Sequence, residues 1–167
     1  ASASTPGPRL LREFLEYASS GIALATAASS AWGSNRRSAN DKLAVGLIGC
    51  GGRGVHDAGL FQQTTNVELA YICDVDVTRR DAAARSLRID SSRSVDDLRR
   101  ILDDKSVDAV IVATPDHWHS PASILACDAG KHVYVEKPVS HNIREGRLLV
   151  DAAERNGALV QHGTQCR

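Results

Sequence analysis

The chain has 167 residues, enough for one domain of ordinary size around one substantial core. Its 20 Lys plus Arg balance 20 Asp plus Glu, and the Arg-Arg pairs at 36/37, 79/80 and 99/100 are scattered, so no basic footprint for nucleic acid is present. No apolar run approaches the ~20 residues that cross a bilayer, which excludes a spanning helix as an expectation.

In chain order, residues 1–40 stand apart. They are dominated by Ala and Ser, with Pro6, Gly7 and Pro8 near the front, and read as an extension rather than folded core. Arg9 and Arg12 precede Phe14-Leu15, a weakly apolar run follows from Ala18 to Trp32, and a polar SNRRSAN closes the segment. That order is the one an export signal shows. Arg12-Glu13-Phe14-Leu15 resembles the second half of a twin-arginine signal, with Leu11 where the first arginine belongs. An exported, periplasmic protein and a cytoplasmic one with an unaddressed extension both remain open.

From residue 41 to 167 short apolar runs alternate with longer amphipathic stretches. The runs 43–48, 67–73, 109–113, 132–135 and 158–161 are continuous rather than alternating, which suits strands buried on both faces of a parallel sheet. Between them, 55–63, 78–87, 95–102, 121–129 and 143–156 read as helices. Ser120 is placed to cap the helix whose first turn holds Pro121, Gly130 follows its last turn, and Asn156-Gly157 ends the last helix. Strands alternating with such helices predict right-handed crossovers and a doubly wound α/β sheet.

The first run breaks into glycine: Gly49, Gly51 and Gly54 follow a strand and open a helix. Gly49 suits a tight turn, Gly51 lets backbone approach a pyrophosphate, and Gly54 lets helix pack on strand, with the helix-start N–H groups facing the phosphates. Asp74 closes the second strand 20 residues after Gly54, the position from which a carboxylate bonds an adenosine ribose diol and repels a 2′-phosphate. NAD is therefore expected over NADP. Arg79 and Arg80 temper that preference, because an arginine there accepts a 2′-phosphate.

The other strand ends empty into Thr114-Pro115-Asp116-His117-Trp118-His119 and into Glu136-Lys137-Pro138, loops that should flank one crevice. His117 and His119, two apart, lack a third ligand nearby, so no metal is expected. Lys137, just past a buried strand and before a stiffening proline, is well placed to hydrogen-bond a substrate hydroxyl or exchange a proton. Cys50, Cys73, Cys127 and Cys166 form no C-x-x-C or zinc-like cluster and read as free thiols, mostly buried.

GLIGCGGRG, CDVD, DAVIVATPDHWH, AGKHVYVEKP and the closing GTQCR resemble the N-terminal half of the Gfo/Idh/MocA oxidoreductases, the group of glucose-fructose oxidoreductase and inositol dehydrogenase. The resemblance covers residues 41–167. It implies an NAD(P)-binding Rossmann domain followed by a second α/β domain that carries much of the substrate site, and so a chain that is a fragment, inactive alone. Gly49, Cys50, Gly51, Gly52, Arg53 and Gly54 would form the pyrophosphate loop, with Asp74 on the adenosine ribose. Thr114, Pro115 and His119 would line the nicotinamide side, Glu136 would touch the nicotinamide ribose region, and Lys137 would be the catalytic lysine. His141 and His162 match no relay motif of the family, and Gln165 and Arg167 would border the site. The implied activity is hydride transfer with a sugar or polyol, in a homo-oligomer when full length. The alternatives are NAD-dependent glycoside hydrolysis, or dinucleotide binding without catalysis.

Overall fold

The computed structural model describes residues 42–164; the extension and Gln165, Cys166 and Arg167, with the expectations attached to them, lie outside the described residues. Six strands form one parallel sheet: β1 (Leu43–Ile48), β2 (Val67–Cys73), β3 (Ser94–Val95), β4 (Ala109–Val112), β5 (His132–Glu136) and β6 (Val160–Gly163). Their order, β3-β2-β1-β4-β5-β6, is that of a doubly wound dinucleotide-binding sheet, with the switch point between β1 and β4.

Helices α1 (Gly52–Gln62) and α2 (Val77–Leu87) cover one face, and α3 (Arg99–Asp103), α4 (His119–Asp128) and α5 (Ile143–Asn156) the other. Two layers of core follow. Val45, Leu47, Ile72 and Ile111 pack with Ala58 and Phe61 of α1 and Leu87 of α2, while Ile48, Val110, Val112, Val133 and Val135 pack with Ile101, Ala122, Ala126 and Leu149. Burial on both faces is why the strands read as unbroken apolar runs. Gly46 belongs to the second layer: a Cβ there would lie 2.6 Å from a methyl of Ile101, so the missing side chain admits α3.

Three local expectations need correction. Residues 95–102 do not form one helix: Val95 pairs with Cys73 as part of β3, and α3 begins only at Arg99, whose N–H bonds to Asp97 Oδ1 at 2.9 Å. Two residues of strand are too short to show a period. Ser120 caps nothing, because α4 is entered at His119 through a 3-10 turn over Asp116–Trp118, and the Ser120 hydroxyl donates to Val139 O at 3.1 Å. Finally α1 starts at Gly52 rather than Val55, so Gly52 and Gly54 lie inside its first turn while Gly49 and Gly51 precede it. Gly157 does end α5 in the left-handed conformation, φ 61°.

Candidate functional site

The carboxyl ends of β1, β2, β4 and β5 face one way, and every chemically notable loop is gathered there. The glycine loop shows two kinds of glycine. Gly49 has φ +99°, and a Cβ would lie 2.5 Å from Ala113 O; a Cβ on Gly54 would lie 2.1 Å from Gly49 O. These two let α1 settle on β1 and β4. A Cβ on Gly51 or Gly52 would meet nothing within 4 Å, and with Gly51 at the N-cap no side chain caps the start of α1. Exposed N–H donors beside open space are what a pyrophosphate needs.

Cys50 turns inward, its Sγ 3.5 Å from Cys73 O, and burial pushes the thiol up to about 12. Its backbone N–H donates to Asp74 Oδ2 at 2.7 Å, while Asp74 Oδ1 takes the Asp76 N–H at 2.9 Å. The end of β2 is thereby tied to the glycine loop, with lone pairs on both carboxylate oxygens left for hydroxyls. Arg80 donates to Asp74 O at 2.8 Å, and Arg79 lies 3.5 Å from Asp76.

Across the crevice, Arg53 reaches from α1 to β5. Its Nε lies 3.1 Å from Glu136 Oε1 and 3.1 Å from Asp57 Oδ2, and Nη2 lies 2.9 Å from Asp57 Oδ1. Glu136, 3% exposed, also accepts from Tyr134 at 3.2 Å and from the Lys137 backbone at 3.1 Å. A Cβ on Gly163 would lie 2.6 Å from the Tyr134 hydroxyl oxygen and 2.8 Å from Glu136 Oε1, so β6 passes this cluster only as glycine. Burial, together with the neighbouring Glu136, pushes Asp57 up to about 7; against its own burial, the Lys137 N–H and Arg53 hold Glu136 below its ordinary value. Of the two carboxyl groups, Asp57 is thus the one that takes up a proton more readily.

Asp57 was not singled out by motif. Its signal was there: on α1 the buried positions are Gly54, Asp57, Ala58 and Phe61, a charged residue on the apolar stripe four places after an arginine.

His119 lies between the Thr114 and Pro138 loops. It is 2% exposed, with Nε2 2.8 Å from Thr114 O and Nδ1 2.5 Å from Pro138 O. It pins the two loops together rather than presenting an edge to the crevice. Thr114 keeps a buried hydroxyl without a partner, Pro115 and His117 are exposed, and Lys137, joined to Pro138 by a cis peptide, is exposed as well. An unspent hydroxyl, open space at Gly51 and Gly52, and bare helix-start donors fit a dinucleotide.

The family model described as "Oxidoreductase family, NAD-binding Rossmann fold" (GFO_IDH_MocA) matches residues 43–164. The chain belongs to the Gfo/Idh/MocA family. It is an NAD-binding Rossmann domain of that oxidoreductase family. Among its relatives, a "Glycosyl hydrolase family 109 protein" of Shewanella putrefaciens is 37% identical over 123 residues, 69% of this chain and 27% of the relative. Among solved structures, the WlbA dehydrogenase from Bordetella pertussis, in complex with NADH and UDP-GlcNAcA, is 30% identical with a TM-score of 0.67, covering 72% of this chain and 36% of that one. GenD2 from gentamicin A biosynthesis, in complex with NAD, is 30% identical with a TM-score of 0.68, covering 78% and 37%. The chain thus spans between a quarter and two-fifths of the length of these Gfo/Idh/MocA relatives. Among the described residues no helix is long and apolar enough to cross a membrane, and no three His, Cys, Asp or Glu side chains gather as a metal cluster.

Proposed function

We propose that this chain, residues 41–167, is the cofactor half of an NAD-dependent sugar or polyol oxidoreductase, with residues 1–40 an extension outside it. The observation that carries the reading is the meeting of three loops at one crevice: the glycine loop, Thr114–His119 and Glu136–Lys137, tied by Arg53 to Glu136 and by His119 to both later loops. Gly49, Cys50, Gly51, Gly52, Arg53 and Gly54 hold the pyrophosphate, and Asp74 takes the adenosine ribose. Thr114 and Pro115 face the nicotinamide side, His119 and Glu136 fix the loops around it, and Lys137 meets the substrate. When bound, NAD supplies the hydride acceptor. Lys137 orients the reacting hydroxyl and exchanges its proton, and the loops hold donor and acceptor carbons at contact distance.

The sugar class is supported by the UDP-sugar complex of the WlbA neighbour. The curated relatives named as family 109 glycosyl hydrolases favour a second reading, in which NAD stays bound and the same oxidation serves glycoside cleavage. The protein incubated with candidate sugars and glycosides separates the two. Net NADH formation at 340 nm, a wavelength set by the cofactor, supports the dehydrogenase; sugar release with no net NADH supports the hydrolase. Calorimetric binding of NAD with neither product reduces the chain to a binding module, and no heat at millimolar NAD removes that as well.

A further inference from the structure

The two helix N-termini beside the glycine loop are treated in opposite ways. At α1 the N-cap is Gly51 and the donors are bare; at α2 the N-cap is Asp76, whose Oδ1 accepts from Thr78 N at 2.9 Å and Arg79 N at 3.3 Å. Asp76 Oδ2 in addition lies 3.5 Å from Arg79 Nε, and Arg80 is turned back onto Asp74 O. A 2′-phosphate beside Asp74 would look for donors in the N–H groups that open α2 and in these two arginines. The N–H groups of Thr78, Arg79 and Arg80 and both arginine side chains already have an acceptor from the Asp74–Asp76 segment.

We propose that Asp76 is a second determinant of NAD over NADP, acting beside Asp74 by filling the α2 N-terminus and holding Arg79. This rests on the reading that Asp74 takes the adenosine ribose. The corner is negative beyond these two groups: Asp96 and Asp97, in the turn after β3, stand close enough to raise the Cys73 thiol along with its burial and Asp74. Arg79 and Arg80, which in the sequence look like phosphate ligands, are restrained cations here. The Arg79–Asp76 pair is about half exposed on both sides and weak, so neutralising the acid releases the arginine. Discrimination is therefore divided. Removing the Asp74 charge alone leaves the α2 donors filled and Arg79 paired.

The test measures dissociation constants of NADH and NADPH by nicotinamide fluorescence in the protein, without turnover. Asp76→Asn tests the charge and the hold on Arg79, because asparagine caps a helix as well as aspartate and so keeps the fold and the filled α2 donors. It should tighten NADPH by about fivefold, the size of an exposed charge effect, with NADH within about twofold. In an Asp74→Ser background the same change should bring NADPH to parity with NADH, where Asp74→Ser alone leaves NADH preferred. Adding Arg79→Gln should return NADPH affinity toward the Asp74→Ser value. If Asp76→Asn leaves the ratio of the two affinities unchanged while Asp74→Ser weakens NADH, the role of Asp76 is overturned alone. If Asp74→Ser moves neither affinity, the ribose site is misplaced and the inference falls with it.

Discussion

Lys131 and Lys137 flank β5, one at each end, and differ in almost every respect. Lys131, at the amino end, is 3% exposed and gives its ammonium to Asp104 O at 2.7 Å and Val107 O at 2.9 Å. Its surroundings are similarly closed: Asp108 takes the Ala44 N–H at 3.0 Å, and His132 Nδ1 takes the Leu159 N–H at 2.9 Å. Lys137, at the carboxyl end, is exposed; near it Thr114 has an unspent hydroxyl, and Gly51 and Gly52 border open space. The amino end spends most of its polar groups on the fold, His132 Nε2 being the buried exception, whereas the carboxyl end combines fold contacts with an exposed lysine, an unspent hydroxyl and open space. The carboxyl end is also the end at which open α/β sheets take their ligands.

The sharpest way to break the comparison is to exchange the two losses. Lys137→Ala should lower turnover of the active protein by about 10²- to 10⁴-fold, as loss of a proton-exchanging group does, with the thermal midpoint and NAD affinity nearly unchanged. Lys131→Ala should do the reverse, costing about 1–3 kcal/mol of stability by orphaning two carbonyls, with kcat kept. Turnover surviving in Lys137→Ala would remove its catalytic role. A fully stable Lys131→Ala would mean that the amino end is not held by that ammonium.

The same division runs inside the glycine loop at smaller scale. Gly54→Ala places a Cβ 2.1 Å from Gly49 O, a backbone atom that cannot step aside, and should destabilise by about 1–3 kcal/mol in denaturant titration. Gly51→Ala meets nothing and should melt like wild type while losing NAD affinity. Equal behaviour of the two variants in both assays would collapse the distinction.

Much of this was legible in the chain because doubly buried strands advertise themselves as unbroken apolar runs, and because a strand emptying into glycine with Asp74 downstream is a long pattern. The losses have physical causes. β3 is held by its pairing with β2 at Cys73, not by any propensity of Ser94-Val95, so it vanished into an expected helix. Ser120 has the right chemistry for a cap, but Val139, 19 residues away, claims its hydroxyl. Each miss depends on a partner that only the tertiary fold supplies. Asp57 is of the same kind: the stripe on α1 marks it as buried, but its meaning comes from Glu136 on β5.

Asp57 also supplies the mildest test, one of pH. Its folded pKa, raised to about 7 chiefly by burial, exceeds its ordinary value of 3.8, so the native state holds a proton that the unfolded chain has released. The stability this contributes is complete at low pH and is lost as pH rises through about 7. Glu136, held below its ordinary 4.5, has the opposite sign, but its contribution changes only in more acid solution. From pH 5 to about 7, then, the melting temperature of wild type relative to Asp57→Asn should fall, and it should level off toward pH 8. The relative measure matters, since other groups such as His132, whose pKa burial lowers, titrate identically in both proteins. Parallel curves would mean that Asp57 is charged in the fold and that the corner beneath Lys137 carries two negative charges against one arginine.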